Sequence, residues 1–184
     1  MRISKLIVCV FIATTVIFQN AHAQNWKLNE KESFIIFIAK NLGMNVSGKI
    51  SGMKVTGDYN DENLFLSNFT GSIDVSTIDT QITMRNNHLK SDEYFDVNKY
   101  PKITFKSKEI VKDGSALKAI GYLTIKGVTK DVGITFSVQK DNDKKHTLIG
   151  NVTIQRKDFD LGSNTTLIMA DVIKVRIIAV FEQV

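Results

Sequence analysis

The stretch KITFKSKEIVKDGSALKAIGYLTIKGVTKDVGITFSV, residues 102–138, decides the fold, because apolar and polar residues alternate along it with a period of two. From Lys102 to Lys112, Ile103, Phe105 and Val111 fall on one face, while Lys102, Lys106, Lys108 and Lys112 fall on the other. Asp113-Gly114-Ser115 closes a hairpin, and the next run sets Leu117, Ala119, Gly121, Leu123 and Ile125 on one side. Lys126-Gly127-Val128-Thr129 turns the chain again, after which Val132, Ile134, Phe136 and Val138 alternate.

The same rhythm extends outward in both directions. Asp141-Asn142-Asp143 leads into Leu148, Gly150, Val152 and Ile154, and the C-terminal run places Ile173, Val175, Ile177, Ala179 and Phe181 on one face. Upstream, Ser33 to Lys40, Met53 to Tyr59 and Leu64 to Ile78 read as three more strands, with a short one around Trp26 to Leu28. About eight strands with one apolar face each predict an all-β, antiparallel domain, either a closed barrel or a sandwich. Small residues on the apolar faces (Gly71, Ala119, Gly121, Gly150, Ala179) leave space for a ligand or serve only to let the strands coil.

One segment breaks the pattern. Thr83 to Leu89 shows no alternation, and Ser91-Asp92-Glu93-Tyr94 has the serine-then-acidic start of a short helix. Asn98-Lys99-Tyr100-Pro101 then restarts an extended chain. A helical insertion is therefore expected around residues 83–96.

The N-terminus carries an export signal. Arg2 and Lys5 precede an apolar run from Leu6 to Phe18, and Ala21-His22-Ala23 offers the small-x-small cleavage pattern. The expected division is a signal peptide over 1–23 and one domain over 24–184, which places the protein in the periplasm. Cys9, the single cysteine, lies within the apolar run, with most of that run following it; a lipid-attachment cysteine would come after the run. The mature domain is consequently expected to use neither disulfides nor thiolate chemistry. Removing Arg2 and Lys5 lowers the net charge from +5 to +3, and the lysines are spread along strands, so no nucleic-acid partner is expected. An outer-membrane barrel would have to turn one sheet face to lipid, and a face bearing Lys102, Lys106 and Lys108 would cost about 2–4 kcal/mol per lysine near the midplane. No stable membrane insertion is expected.

Catalytic machinery is sparse. His88 and His146 are the histidines of the mature chain, and no cluster has the spacing of a metal site. His146, in Lys144-Lys145-His146, reads as a solvated turn residue. His88 lies near Arg85 and Asn87, but no G-x-S-x-G, G-x-G-x-x-G or P-loop accompanies it. No catalytic residue, metal or cofactor is assigned.

Longer motifs narrow the reading. The run HLKSDEYFDVNKYPKITF (88–105) and the run GYLTIKGVTK (121–130) resemble the two signatures of the YceI-like family. Ser76-Thr77-Ile78-Asp79-Thr80, Arg85 to Leu89, and Arg156-Lys157-Asp158-Phe159 resemble it further. Where many members read Lys-His-x-Gly, this chain reads Lys40-Asn41-Leu42-Gly43, and Asp160 stands where a glycine is common. The resemblance implies a lipocalin-like, eight-stranded antiparallel barrel in the bacterial periplasm. It further implies an apolar channel for a polyisoprenoid, an isoprenoid quinone or a similar amphiphile, frequent dimerisation, and no catalytic residues. Phe37, Phe69, Ile73, Ile103, Phe105, Leu123, Ile134, Phe136, Val152 and Val175 would line such a channel, with Arg85, Asn87 and His88 meeting the head group. Two other readings compete with a lipid carrier: a secreted stress or interaction protein with a filled barrel, and an enzyme using His88 with a nearby carboxylate.

Overall fold

The computed structural model describes residues 26–57, 68–162 and 169–184. The signal-peptide reading, Tyr59 and Leu64 lie outside these residues. The alternation becomes one antiparallel sheet of ten strands. In chain order these are β1 (Trp26–Leu28), β2 (Phe34–Asn41), β3 (Met44–Ile50), β4 (Lys54–Gly57), β5 (Phe69–Asp74), β6 (Lys102–Asp113), β7 (Ala116–Ile125), β8 (Val128–Asn142), β9 (Lys145–Gln155) and β10 (Val172–Gln183). The spatial order is β3-β2-β10-β9-β8-β7-β6-β5-β4. β1 shares an edge of β10 with β2, since Phe181 to Gln183 pair with β1 while Lys174 to Ile178 pair with β2.

The expected closed barrel of eight strands is corrected to a half-barrel. β3 and β4 form the two ends of the path, and no ladder joins them among the described residues. A strap covers part of β3's free edge instead. After β5 the chain makes a 3₁₀ turn (Val75–Thr77), and Asp79 and Lys49 then exchange both backbone hydrogen bonds at 2.8 and 2.9 Å. Covering an edge in this way removes unpaired backbone groups that would template aggregation.

β3 is the strand that hydropathy does not reveal. Its sequence, MNVSGKI, has one half-buried valine and two buried positions, Gly48 and Ile50, among exposed residues. The turn before it is the stronger signal: Leu42 and Gly43 have φ of +50° and +76°, both left-handed, as a tight two-residue hairpin requires. Lys126-Gly127 repeats the device between β7 and β8 with φ of +49° and +77°.

A β-bulge in β6 corrects a second expectation. The register with β7 shifts between Ser107 and Glu109, so side chains beyond the bulge change faces. Ile110 therefore enters the core at 6% exposure, where strict alternation from Phe105 points to Val111. Beside the bulge the Ser107 hydroxyl accepts from the Phe69 N–H at 2.9 Å and donates to the Phe69 carbonyl at 3.1 Å, continuing the β5–β6 pairing by side chain. Opposite it, Gly121 has no room for a side chain: an added Cβ would lie 2.2 Å from the Lys106 carbonyl oxygen and 2.9 Å from Ser107 Cα. Those are backbone atoms and cannot rotate away. Gly121→Ala is expected to destabilise the fold by about 3 kcal/mol, seen as a Tm lowered by roughly 6–12 °C in thermal unfolding.

The helical insertion is α1 (Thr83–Lys90), and it precedes the segment whose composition suggests a helix start. Ser91 closes the helix rather than opening it, its hydroxyl donating to the His88 carbonyl at 2.8 Å. The helix is held from its N-terminal side. The Asn86 side chain accepts from the Thr80 N–H at 2.8 Å and donates to Asp79 at 3.0 Å. The Gln81 N–H and the Asn86 amide, in that order, hold the Asp79 carboxyl below the usual carboxylate range.

Candidate functional site

Inward residues of the half-barrel do not fill it. They surround a cavity of about 320 Å³, walled by side chains from β1 to β10 and by the segment that follows α1. Phe37, Phe69, Ile73, Ile103, Phe105, Leu123, Ile134, Phe136, Val152 and Val175 all stand on this wall, brought together by the strand period and the ladder registers. Phe69 and Phe105 face each other with ring centroids 5.8 Å apart and planes tilted by 42°. Between Phe69 and Ile73 the same face of β5 carries Gly71, where an added Cβ would meet nothing within 4 Å. The cavity reaches the backbone there.

Other wall residues sit where alternation gives no signal. Leu89 at the end of α1, with Tyr94 and Phe95 just after it, covers part of the cavity. This segment folds onto itself, as the Phe95 N–H donates to the Leu89 carbonyl at 3.1 Å. Leu161 and Met169 add apolar surface nearby, and Tyr94 Oη lies 3.8 Å from Met169 Sδ. The available sequence signal was an isolated apolar residue in a polar loop, as in Asp158-Phe159-Asp160-Leu161-Gly162. Trp26, the single tryptophan, also lines the cavity and stacks on His146 with centroids 4.0 Å apart. His146 thus lies within β9 and is buried at 2% exposure, which corrects its reading as a solvated turn residue. Stacking on the indole removes one face of the imidazole from water.

Polar groups on the wall are few: Lys27, Ser72 and Arg156 join Tyr94 there. Arg156 is 1% exposed and belongs to a 3₁₀ turn (Arg156–Phe159). Its guanidinium donates to the carbonyls of Leu161 at 2.8 Å, of Gly162, and of Met169 at 3.4 Å, and pairs with Asp171 at 3.0 Å. Asp160 ends this turn with φ of +53°, a left-handed conformation that explains why glycine suits the position and that aspartate also tolerates.

Arg85 and His88 are not among the residues that line the cavity. Arg85 is turned to Thr80, with Nε 2.9 Å from its hydroxyl oxygen and a terminal nitrogen 2.8 Å from its carbonyl oxygen. Asn87 is exposed. His88 does reach a carboxylate, Glu93, at 2.8 Å, and its ring meets Tyr94 edge-on. The His88 side chain is 53% exposed, so the pair faces solvent rather than the cavity. Among the described residues no three His, Cys, Asp or Glu side chains are placed to hold a metal ion. What the arrangement offers chemically is a water-excluding apolar space.

Comparison with known proteins agrees with this architecture. A UPF0312 protein of Pectobacterium atrosepticum is 31% identical over 150 residues, covering 77% of this chain and 78% of its own length. The crystal structure of BcnA from Burkholderia cenocepacia superposes with a TM-score of 0.78 at 24% identity, covering 84% of this chain and 99% of that one. A polyisoprenoid binding domain from Saccharophagus degradans, implicated in plant cell wall breakdown, shares the fold with a TM-score of 0.68 at 15% identity, over 88% of this chain and 99% of its own. The model of the YceI-like domain matches residues 26–181, and the chain therefore belongs to the YceI-like domain family.

Proposed function

We propose that this protein is an exported binding or carrier protein that holds a long apolar lipid, such as a polyisoprenoid or an isoprenoid quinone, inside its half-barrel. The observation that carries the reading is the cavity of about 320 Å³ with its almost wholly apolar wall. Its size falls within the range of roughly 300–1,000 Å³ common to small-molecule sites. An unoccupied apolar space costs its lining atoms their dispersion contacts, and a hydrocarbon chain restores them while leaving water. Burial contributes about 0.8 kcal/mol per CH₂, so a chain of several isoprene units has ample driving force. The relative from Saccharophagus degradans, described as a polyisoprenoid binding domain, supports the same ligand class.

On this reading the ten predicted wall residues contact the chain, and the protein acts by sequestration rather than by catalysis. The signal peptide expected over residues 1–23 supports a periplasmic location for that activity. A filled barrel serving only protein–protein interaction is disfavoured by the open space at Gly71.

The test uses the protein purified from its own host. Organic extraction and native mass spectrometry are expected to find a co-purified long-chain lipid. Titration of stripped protein with an isoprenoid quinone is expected to quench the single tryptophan, Trp26, saturably, because that ring lies on the cavity wall. Absence of both a co-purified lipid and saturable quenching would overturn the proposal.

A further inference from the structure

The outer face of the sheet carries no carboxylate where β3, β2, β10 and β9 lie side by side. On β2, Ile36, Ile38 and Lys40 point away from the cavity, because Phe37 and Ala39 between them stand on its wall. β3 sets Lys49 opposite Ile36, and the uncharged Ser47 and Asn45 opposite Ile38 and Lys40. On the other side, β10 sets Arg176 opposite Ile36 and Lys174 opposite Ile38, with Val172 two positions further along the same face. β9 continues the face with the uncharged Asn151, Thr153 and Gln155.

The cations of this face are not neutralised in place. Among the described residues Lys40, Lys174 and Arg176 have no ion-pair partner, whereas Lys108 and Lys145 elsewhere on the sheet pair with Asp131 and Glu32. Lys49 lies over the Phe34 ring, 4.2 Å from its centroid. Of the bordering carboxylates, Asp79 accepts from the Gln81 N–H and the Asn86 amide, and Asp171 is held by Arg156 and Lys157. Asp158 and Asp160 lie past the end of β9, and Glu30 and Glu32 precede β2 at its opposite end. Beside these cations the surface is apolar. The β2–β3 turn puts Leu42 and Met44 at a tip where they are 70% and 68% exposed, and Ile38 and Val172 are exposed next to it. The tip adjoins the cavity wall, since Asn41 bridges to Met169, a wall residue.

We propose that this face docks the protein on an anionic phospholipid bilayer surface. Lys40, Lys174 and Arg176 meet the headgroup phosphates, and Leu42 and Met44 enter the boundary between headgroups and acyl chains. The cations draw the protein to the surface, and the apolar side chains beside them gain burial on reaching it. A second copy of the chain is the poorer occupant, because a two-fold contact through this face sets its cations against the same cations of the other copy. The inference goes beyond the lipid-binding reading and does not depend on it, although a bilayer is where an apolar ligand would be taken up or delivered.

The experiment floats the purified protein on a density gradient with vesicles of phosphatidylcholine alone and of phosphatidylcholine mixed with phosphatidylglycerol. Three cations near an anionic surface are expected to raise partition onto the mixed vesicles by about a hundredfold, and added salt is expected to reverse the gain. The double variant Lys174→Gln, Arg176→Gln is expected to bind the mixed vesicles about thirtyfold more weakly, and the double variant Leu42→Ser, Met44→Ser about tenfold more weakly. These residues lie off the cavity wall, so Tm and the uptake of an apolar dye are expected to stay unchanged in both variants. If one variant fails to fold, the other decides. Equal partition onto both kinds of vesicle, no binding to either, or full binding by a folded variant would each overturn the proposal. So would a dimer in vesicle-free solution that Leu42→Ser, Met44→Ser dissolves, which would assign the face to a second copy.

Discussion

Gly71→Phe is expected to abolish lipid binding while leaving the fold intact. Gly71 lies between Phe69 and Ile73 on the inward face of β5, opposite Phe105, and its Cβ position is clear of every atom within 4 Å. A side chain leaves the backbone there without a clash at Cβ and enters the cavity, where the ring gains burial worth about 1.5–3 kcal/mol. A strand glycine is replaced as well, which favours the folded state by limiting the freedom of the unfolded chain. Tm should therefore hold or rise. The ligand, however, loses the volume that the ring takes. Displacing about four methylene equivalents at 0.8 kcal/mol each weakens binding by at least roughly a hundredfold. Quinone titration against Trp26 fluorescence and thermal unfolding measure the two sides separately. Full affinity in a stably folded Gly71→Phe protein would mean that the lipid does not occupy this cavity.

Arg156→Ala is expected to cause the largest loss of stability of any single substitution discussed. The side chain is almost wholly buried and organises the carbonyls of Leu161, Gly162 and Met169 with the carboxylate of Asp171. Removing it leaves several oxygens without a donor in a place that water does not reach freely, at about 1–3 kcal/mol for each buried group left unsatisfied. Asp171 is 40% exposed and keeps Lys157 at 3.0 Å, so its own charge is not stranded. The expected total is about 3–5 kcal/mol, or a Tm lowered by roughly 10 °C or more. Arg156→Lys should recover only part, because an ammonium cannot span donors across four oxygens as a planar guanidinium does. A loss under 1 kcal/mol in urea unfolding for Arg156→Ala would show that the 3₁₀ turn is held by something else.

Much of the cavity wall was legible because the period of two is a local property. Alternation in β7, β9 and β10 assigns Leu123, Val152 and Val175 to one side of a sheet without reference to any neighbour. Inwardness then follows from hydrophobicity. The same logic misplaces residues wherever a non-local contact breaks the count. Ile110 replaces Val111 because a bulge opposite Gly121 shifts the phase by one residue. Hydropathy passes over β3 because its edge position and the Asp79 strap stabilise it through backbone bonds rather than through an apolar face. His146 looked solvated beside two lysines, yet its burial depends on Trp26, more than a hundred residues away in the chain. Arg85 and His88 suggest a head-group role in sequence because they are polar and lie near a family motif. Their hydrogen bonds to Thr80 and Glu93 could be learned only from three dimensions.

By itself, the sequence determined that the domain is an antiparallel β-structure with one helical insertion, which apolar residues share a face within each strand, and which family the motifs resemble. Those conclusions follow from alternation and from motif order, both of which are carried by residues close together in the chain. Tertiary structure alone decided that the sheet stops short of closure at β3 and β4, that its interior is open at Gly71, and that β8 and β9 part beyond Thr135. Each of these depends on whether two distant segments pair or leave a gap. A gap has no residues of its own by which a sequence could announce it.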